Sequence, residues 1–106
     1  MEKLRLLDLS FNELSRLDGI QFPVLPHLRK LFLTDNQISY INNYAFINLY
    51  LLESLRLSGN NLKLVQPDLF TNNSQLVDLE LHGNPWECDC RLKELVHWVK
   101  FKSLLQ

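Results

Sequence analysis

The chain has 106 residues and a mass of 12.5 kDa, enough for one modest hydrophobic core. Its 11 basic and 12 acidic side chains leave a formal net charge of −1, so bulk electrostatics give no reason to bind nucleic acid or anionic lipid. No apolar run approaches the roughly 18 residues of a membrane span, and a hydrophobic content of 46% excludes a disordered chain. What needs an architectural cause is the leucine content: 25 leucines stand beside one alanine and three glycines.

Met1-Glu2-Lys3-Leu4 runs straight into patterned sequence, without the apolar core of a secretory signal. The first patterned segment runs from Leu4 to Leu14, with Leu7, Leu9 and Asn12 inside it. The same spacing returns from Leu28 to Ile38, from Leu52 to Leu62 and from Leu76 to Trp86. Each segment starts 24 residues after the one before, and all share L-x-x-L-x-L-x-x-N-x-L, with Ile38 and Trp86 at the last position. The second half of the unit repeats as well: Phe22, Phe46 and Phe70 are 24 apart, as are Leu17, Ile41 and Val65.

The two leucines of Leu-x-Leu lie on one side of an extended strand. Leu7/Leu9, Leu31/Leu33, Leu55/Leu57 and Leu79/Leu81 are therefore expected to fill an interior, each contributing roughly 1.5–3 kcal/mol against chain entropy. One unit cannot bury its own leucines, whereas stacked units share a continuous core. Asn12, Asn36, Asn60 and Asn84 fall where the strand turns. An amide has two donors and a carbonyl acceptor, which suits it to bridging backbone groups of neighbouring turns. Phe22, Phe46 and Phe70 are expected to stack as a spine on the opposite side.

This pattern resembles the leucine-rich repeat family in its 24-residue extracellular, or typical, form, over nearly the whole chain. The resemblance implies an α/β solenoid, a right-handed superhelix with a short parallel concave sheet, an irregular convex side and a C-terminal cap helix. Residues 1–84 form the four repeats on this reading, with units starting near 4, 28, 52 and 76.

The stretch Asn84-Pro85-Trp86-Glu87-Cys88-Asp89-Cys90 is similar to the opening of the cysteine-rich C-terminal cap of extracellular members, which assigns 85–106 to a truncated cap. Leu92, Leu95, Val96 and Val99 share one helical stripe suited to covering the end of a stack. The family's cap normally holds four cysteines in two disulfides, and this sequence has only Cys88 and Cys90. A bond between them across one residue would be strained. The expectation is a piece of a longer secreted or membrane-anchored protein, able to self-associate through uncapped ends. A zinc reading of Cys88, Cys90, His82 and His97 competes with this. The C-x-C spacing is tighter than the usual one and the cap resemblance accounts for both cysteines, so no metal and no cofactor are expected. Asn72-Asn73-Ser74 is an N-glycosylation sequon in the return segment, with Asn72 as the acceptor.

Residues alternating with the buried leucines face outward and form columns from strand to strand, about 4.8 Å apart. One column is Leu6, Lys30, Ser54, Asp78; the next is Asp8, Phe32, Arg56, Glu80; the third is Ser10, Thr34, Ser58, His82. The repeat consensus leaves these positions free, so they carry the individual information. Phe32 has no core role on such a face, and aromatics and arginine are enriched at interface hot spots. The candidate partner-binding residues are Lys30, Phe32, Ser54, Arg56, Asp78, Glu80 and His82. Catalysis would need a nucleophile with its base, or convergent carboxylates in a pocket. His27, His82 and His97 lie in three different contexts, and His82 near Asp78 or Glu80 sits on an open face, so no enzyme is expected. The reading is a protein-recognition module of an extracellular protein of receptor, adhesion or matrix type, binding a protein ligand on the concave face; the alternative is a structural spacer or partial gene product.

Overall fold

The computed structural model describes residues 3–18, 22, 25–70 and 72–87. Four three-residue strands recur at the repeat period: β1 (Leu6–Asp8), β3 (Lys30–Phe32), β5 (Ser54–Arg56) and β6 (Asp78–Glu80). They form one parallel sheet in the order β1-β3-β5-β6. The register pairs each residue with the one 24 further on: Leu7 with Leu31, Leu31 with Leu55, Leu55 with Leu79. Parallel neighbours need a long return path, and the return segments close each turn. Chain and period thus generate the solenoid expected from the repeat.

The core lies between this sheet and the return segments. Leu31, Leu33, Leu55, Leu57, Leu79 and Leu81 are fully buried. Leu7 and Leu9 also pack against the core, but are only partly buried. The cause is position: β1 is the edge strand, and no described residue packs on its outer side. Phe22, Phe46 and Phe70 form the expected spine, with ring centroids 6.1 and 6.3 Å apart in stacked geometry. The return segments carry short regular pieces. Two short strands, β2 (Arg16–Leu17) and β4 (Tyr40–Ile41), pair in parallel, and Pro67–Phe70 makes a 3-10 turn. Trp86 closes the described stack, packing on the core while its Nε1 donates to the Leu81 carbonyl at 2.6 Å. The expected cap helix, Cys88, Cys90 and His97 lie outside the described residues.

The asparagines tie the turns together. Asn60 Oδ1 accepts from the N–H groups of Asn36 and Ile38 in the preceding unit, at 3.2 and 3.1 Å. Its Nδ2 donates to Leu33 O and Leu57 O, both at 3.0 Å. Asn36 repeats the arrangement one unit earlier, with Asn12 N and Leu14 N donating to Oδ1, and Leu9 O and Leu33 O accepting from Nδ2. Just before each asparagine the backbone turns left-handed, at Phe11, Asp35, Gly59 and Gly83, with φ between 55° and 72°. Gly59 is required on two counts. A Cβ there would be strained at φ +69°, and it would lie 1.9 Å from Asp35 Oδ1.

Asn36→Ala should therefore cost about 1–3 kcal/mol, because it orphans buried backbone groups in two units at once. Asn12→Ala should cost less, since the Asn12 amide is exposed and donates only within its own unit, to Leu9 O and Ser10 O. Urea denaturation checks both; equal midpoints for Asn36→Ala and the parent would remove the ladder.

Candidate functional site

Because the core-facing leucines are locked in register, the residues between them line up on the open face. The first column runs Leu6, Lys30, Ser54, Asp78. Leu6 is 46% exposed on the edge strand. Lys30 is exposed, and Asp78 is half-buried. Ser54 lies beneath its neighbours at 6% exposure, and its hydroxyl donates to Asp78 Oδ2 at 2.9 Å. Ser54 thus orients the Asp78 carboxylate and presents little surface of its own.

The second column, Asp8, Phe32, Arg56, Glu80, carries the chemistry. The Arg56 guanidinium lies over the Phe32 ring, 4.1 Å from its centroid. Arg56 Nε stands 3.5 Å from Glu80 Oε2. The pair is partly exposed, so the ionic term is worth at most about 1 kcal/mol. Glu80 thus stands beside a guanidinium that covers the ring. On the other side of Phe32, Asp8 accepts the Ser10 N–H at 3.0 Å. That backbone hydrogen bond, helped by the Ser10 side chain, holds the Asp8 carboxyl below its ordinary pKa.

The third column is Ser10, Thr34, Ser58 and His82. Ser10 Oγ accepts the Thr34 N–H at 3.2 Å, and Ser58 is buried. His82 is exposed. Together the second and third columns floor a shallow cleft of about 370 Å³, open to solvent. Asp8, Phe32, Arg56, Glu80 and His82 line it. The candidates Lys30 and Asp78 stand one column away. Among the described residues, no group of three or more His, Cys, Asp or Glu side chains is placed to hold a metal ion.

Phe11 also lines this cleft, and sequence reasoning missed it. Its ring is 78% exposed and its backbone is left-handed at φ +60°. The signal was present in the alignment of units: the slot holds Phe11, Asp35, Gly59 and Gly83, and a phenylalanine is out of place in it. Asn73 was passed over too, in favour of its neighbour. Asn72 of the sequon is exposed, whereas Asn73 is fully buried, its Nδ2 donating to Phe46 O and Leu49 O at 3.2 and 2.9 Å.

A second groove, about 380 Å³, lies on the flank where the β2–β4 pairing stops. Tyr40, Ile41, Lys63, Leu64, Val65 and Glu87 are among the residues that line it. Arg16 covers the Tyr40 ring at 4.7 Å and pairs with Asp18 at 3.1 Å, which raises the Arg16 pKa.

The repeat geometry agrees with the comparisons. The family model for Leucine rich repeat matches residues 2–62 and 26–85. The chain belongs to the leucine-rich repeat family. Sixty-six chains of solved structures match it. One is the FLRT2 (LRR) chain in an octameric complex of Latrophilin 3 (Lec, Olf), Unc5D (Ig, Ig2, TSP1) and FLRT2, 38% identical with a TM-score of 0.82. The match covers 97% of this chain and 32% of that chain, so this chain spans about a third of its length. The comparison with curated proteins found no match.

The stacked pair predicts measurable coupling. In a double-mutant cycle with Phe32→Leu and Arg56→Met, the interaction energy in unfolding should be about 0.5–1 kcal/mol. Strict additivity would mean that the guanidinium and ring do not hold each other in solution.

Proposed function

We propose that the chain is a protein-recognition segment of an extracellular leucine-rich repeat protein of receptor, adhesion or matrix type, and that it binds a protein partner on its concave face. The observation that carries this reading is the Phe32–Arg56 stack. A large aromatic stands on an open sheet face with no core to fill, covered by an arginine that stands beside Glu80. Preorganised aromatic and arginine side chains lose little entropy on contact, which is the character of interface hot spots. The extended face with a shallow cleft suits a macromolecule better than a small substrate, and the reading is recognition without catalysis. The FLRT2 chain, solved in a complex with other proteins, supports the same class.

On this reading the four repeats through residue 84 are the recognition unit and residues 85–106 begin a cysteine-rich cap. The extracellular setting also gives the sequon a use. Asn72 and Ser74 are exposed on the return side, on the turn that follows Pro67–Phe70, away from the partner-facing columns. A glycan there leaves the concave face open.

Two experiments test this. The full chain is presented to a panel of extracellular domains that starts with the Latrophilin 3 (Lec, Olf) and Unc5D (Ig, Ig2, TSP1) segments. Saturable binding is expected to at least one panel member. Phe32→Ala with Arg56→Glu should weaken it at least thirtyfold, from about 2 kcal/mol or more lost at the hot spot, with an unchanged thermal melt. Unchanged capture by that double variant would move the contact off the concave face. Secretion from animal cells behind a heterologous leader should give a chain whose gel mobility rises on treatment with peptide N-glycosidase. Asn72→Gln should abolish the change, and a parent chain insensitive to the glycosidase would leave Asn72 unmodified.

A further inference from the structure

The left-handed slot before each asparagine separates structure from function residue by residue. Glycine occupies it in the third and fourth units at no steric cost, as Gly59 and Gly83. Aspartate, one of the types that tolerate this conformation, occupies it in the second as Asp35. Phenylalanine is not such a type, and at φ +60° Phe11 carries backbone strain. Burial does not offset it, because the ring is 78% exposed. A strained backbone beneath a solvated aromatic ring points to use of that ring outside the fold.

The surroundings say what it meets. Phe11 and Phe32 line the same cleft. Arg56 covers Phe32 from the β5 side, and Glu80 matches its charge. From the β1 side Phe32 is flanked by Asp8. The ionised groups lining the cleft, Asp8, Arg56 and Glu80, leave one net negative charge, and Arg56 acts on Asp8 as well. The Asp8 carboxylate is stabilised by the Ser10 N–H. The outward columns have the same sign, with Asp8, Asp78 and Glu80 against Lys30 and Arg56. Two aromatic walls with a net negative charge complement a planar cation, and a guanidinium stacks on aromatic rings better than an ammonium does.

Resting on the concave-face reading, we infer that this cleft is a receptor for an arginine side chain of the protein partner, laid against Phe11 and the β1 side of Phe32 with its charge met by Asp8. Phe11 is the contact that completes it.

The test uses the full chain and two small probes, N-acetyl-arginine amide and the uncharged N-acetyl-norleucine amide, with the Phe11 and Phe32 ring resonances followed by NMR. The arginine amide should shift both rings saturably and the norleucine amide should not. Asp8→Asn should weaken the response at least fivefold. Phe11→Gly should also weaken the Phe32 response at least fivefold while raising the melting temperature by about 2–4 °C, since relief of the strain stabilises the fold. Phe11→Asn should act in the same direction. Opposite signs for binding and stability distinguish a contact residue from a structural one. Rings that ignore arginine, rings that answer norleucine equally, or lower melting temperatures in both Phe11 variants would each overturn the inference. If the rings ignore arginine while Phe32→Ala with Arg56→Glu still abolishes partner capture, the arginine receptor falls and the concave surface stands. If the rings respond and that double variant still captures its partner, the cleft takes free arginine but not the partner's, and both readings fall.

Discussion

A carboxamide set once in every unit holds this molecule together. After each strand the backbone turns sharply, leaving N–H groups of one unit and carbonyls of two units pointing inward, away from water. A buried backbone group without a partner costs about 1–3 kcal/mol. Asn60 meets this demand with one side chain, because an amide accepts through one atom and donates through another. Its oxygen takes two N–H groups of the preceding unit, and its nitrogen serves carbonyls of both. Ser and Thr are too short to span the two units, and a carboxylate would lack donors. The 24-residue period therefore follows from hydrogen bonding as much as from leucine packing.

Locking consecutive turns in this way fixes the strand register, and the register creates the open face. Three-residue strands alone would specify their pairing weakly. Here Leu31, Leu55 and Leu79 align because the turns on either side cannot slide. Asp8, Phe32, Arg56 and Glu80 are then carried into one row with no interaction of their own required. The stack of Arg56 on Phe32 and the Glu80 ion pair are consequences of that row, and they order side chains whose backbones were already placed. Such a division lets the face vary while the scaffold stays constant, which is what a recognition surface requires.

Periodicity made some features legible in the chain and hid others. The strand positions, the asparagine ladder, the phenylalanine spine and the outward columns all recur every 24 residues, so counting found them. Features that break the period were harder to see. Ser54 sits in an outward slot, yet lies under its neighbours because a short side chain next to Asp78 folds down to it. Asn73 replaces the leucines at 25 and 49; a polar residue in an apolar slot was the available clue to its bonds with Phe46 O and Leu49 O. Phe11 by itself does not stand out in the sequence, because its conformational burden is invisible until φ is known. The partial burial of Leu7 and Leu9 depends on being at a sheet edge, which a repeating pattern cannot encode.

These breaks are unevenly distributed along the stack. The large apolar side chains on or beside the face, Leu6, Phe11 and Phe32, belong to the first two units. The third and fourth supply Ser54, Ser58, Gly59 and Gly83 in equivalent slots, with Arg56 and Glu80 reaching back toward Phe32. The face is thus built up toward β1, the strand whose outer edge is unpaired among the described residues. The ladder is directional: Leu9 N and Phe11 N donate forward to Phe32 O and Thr34 O, while Arg29 N and Lys30 N donate back to Arg5 O. A further unit stacked on β1 in the same register would continue the columns through Leu6 and Asp8 and leave Phe11 at the rim of the cleft. Extending the solenoid would therefore widen this surface and set a new side chain beside Asp8.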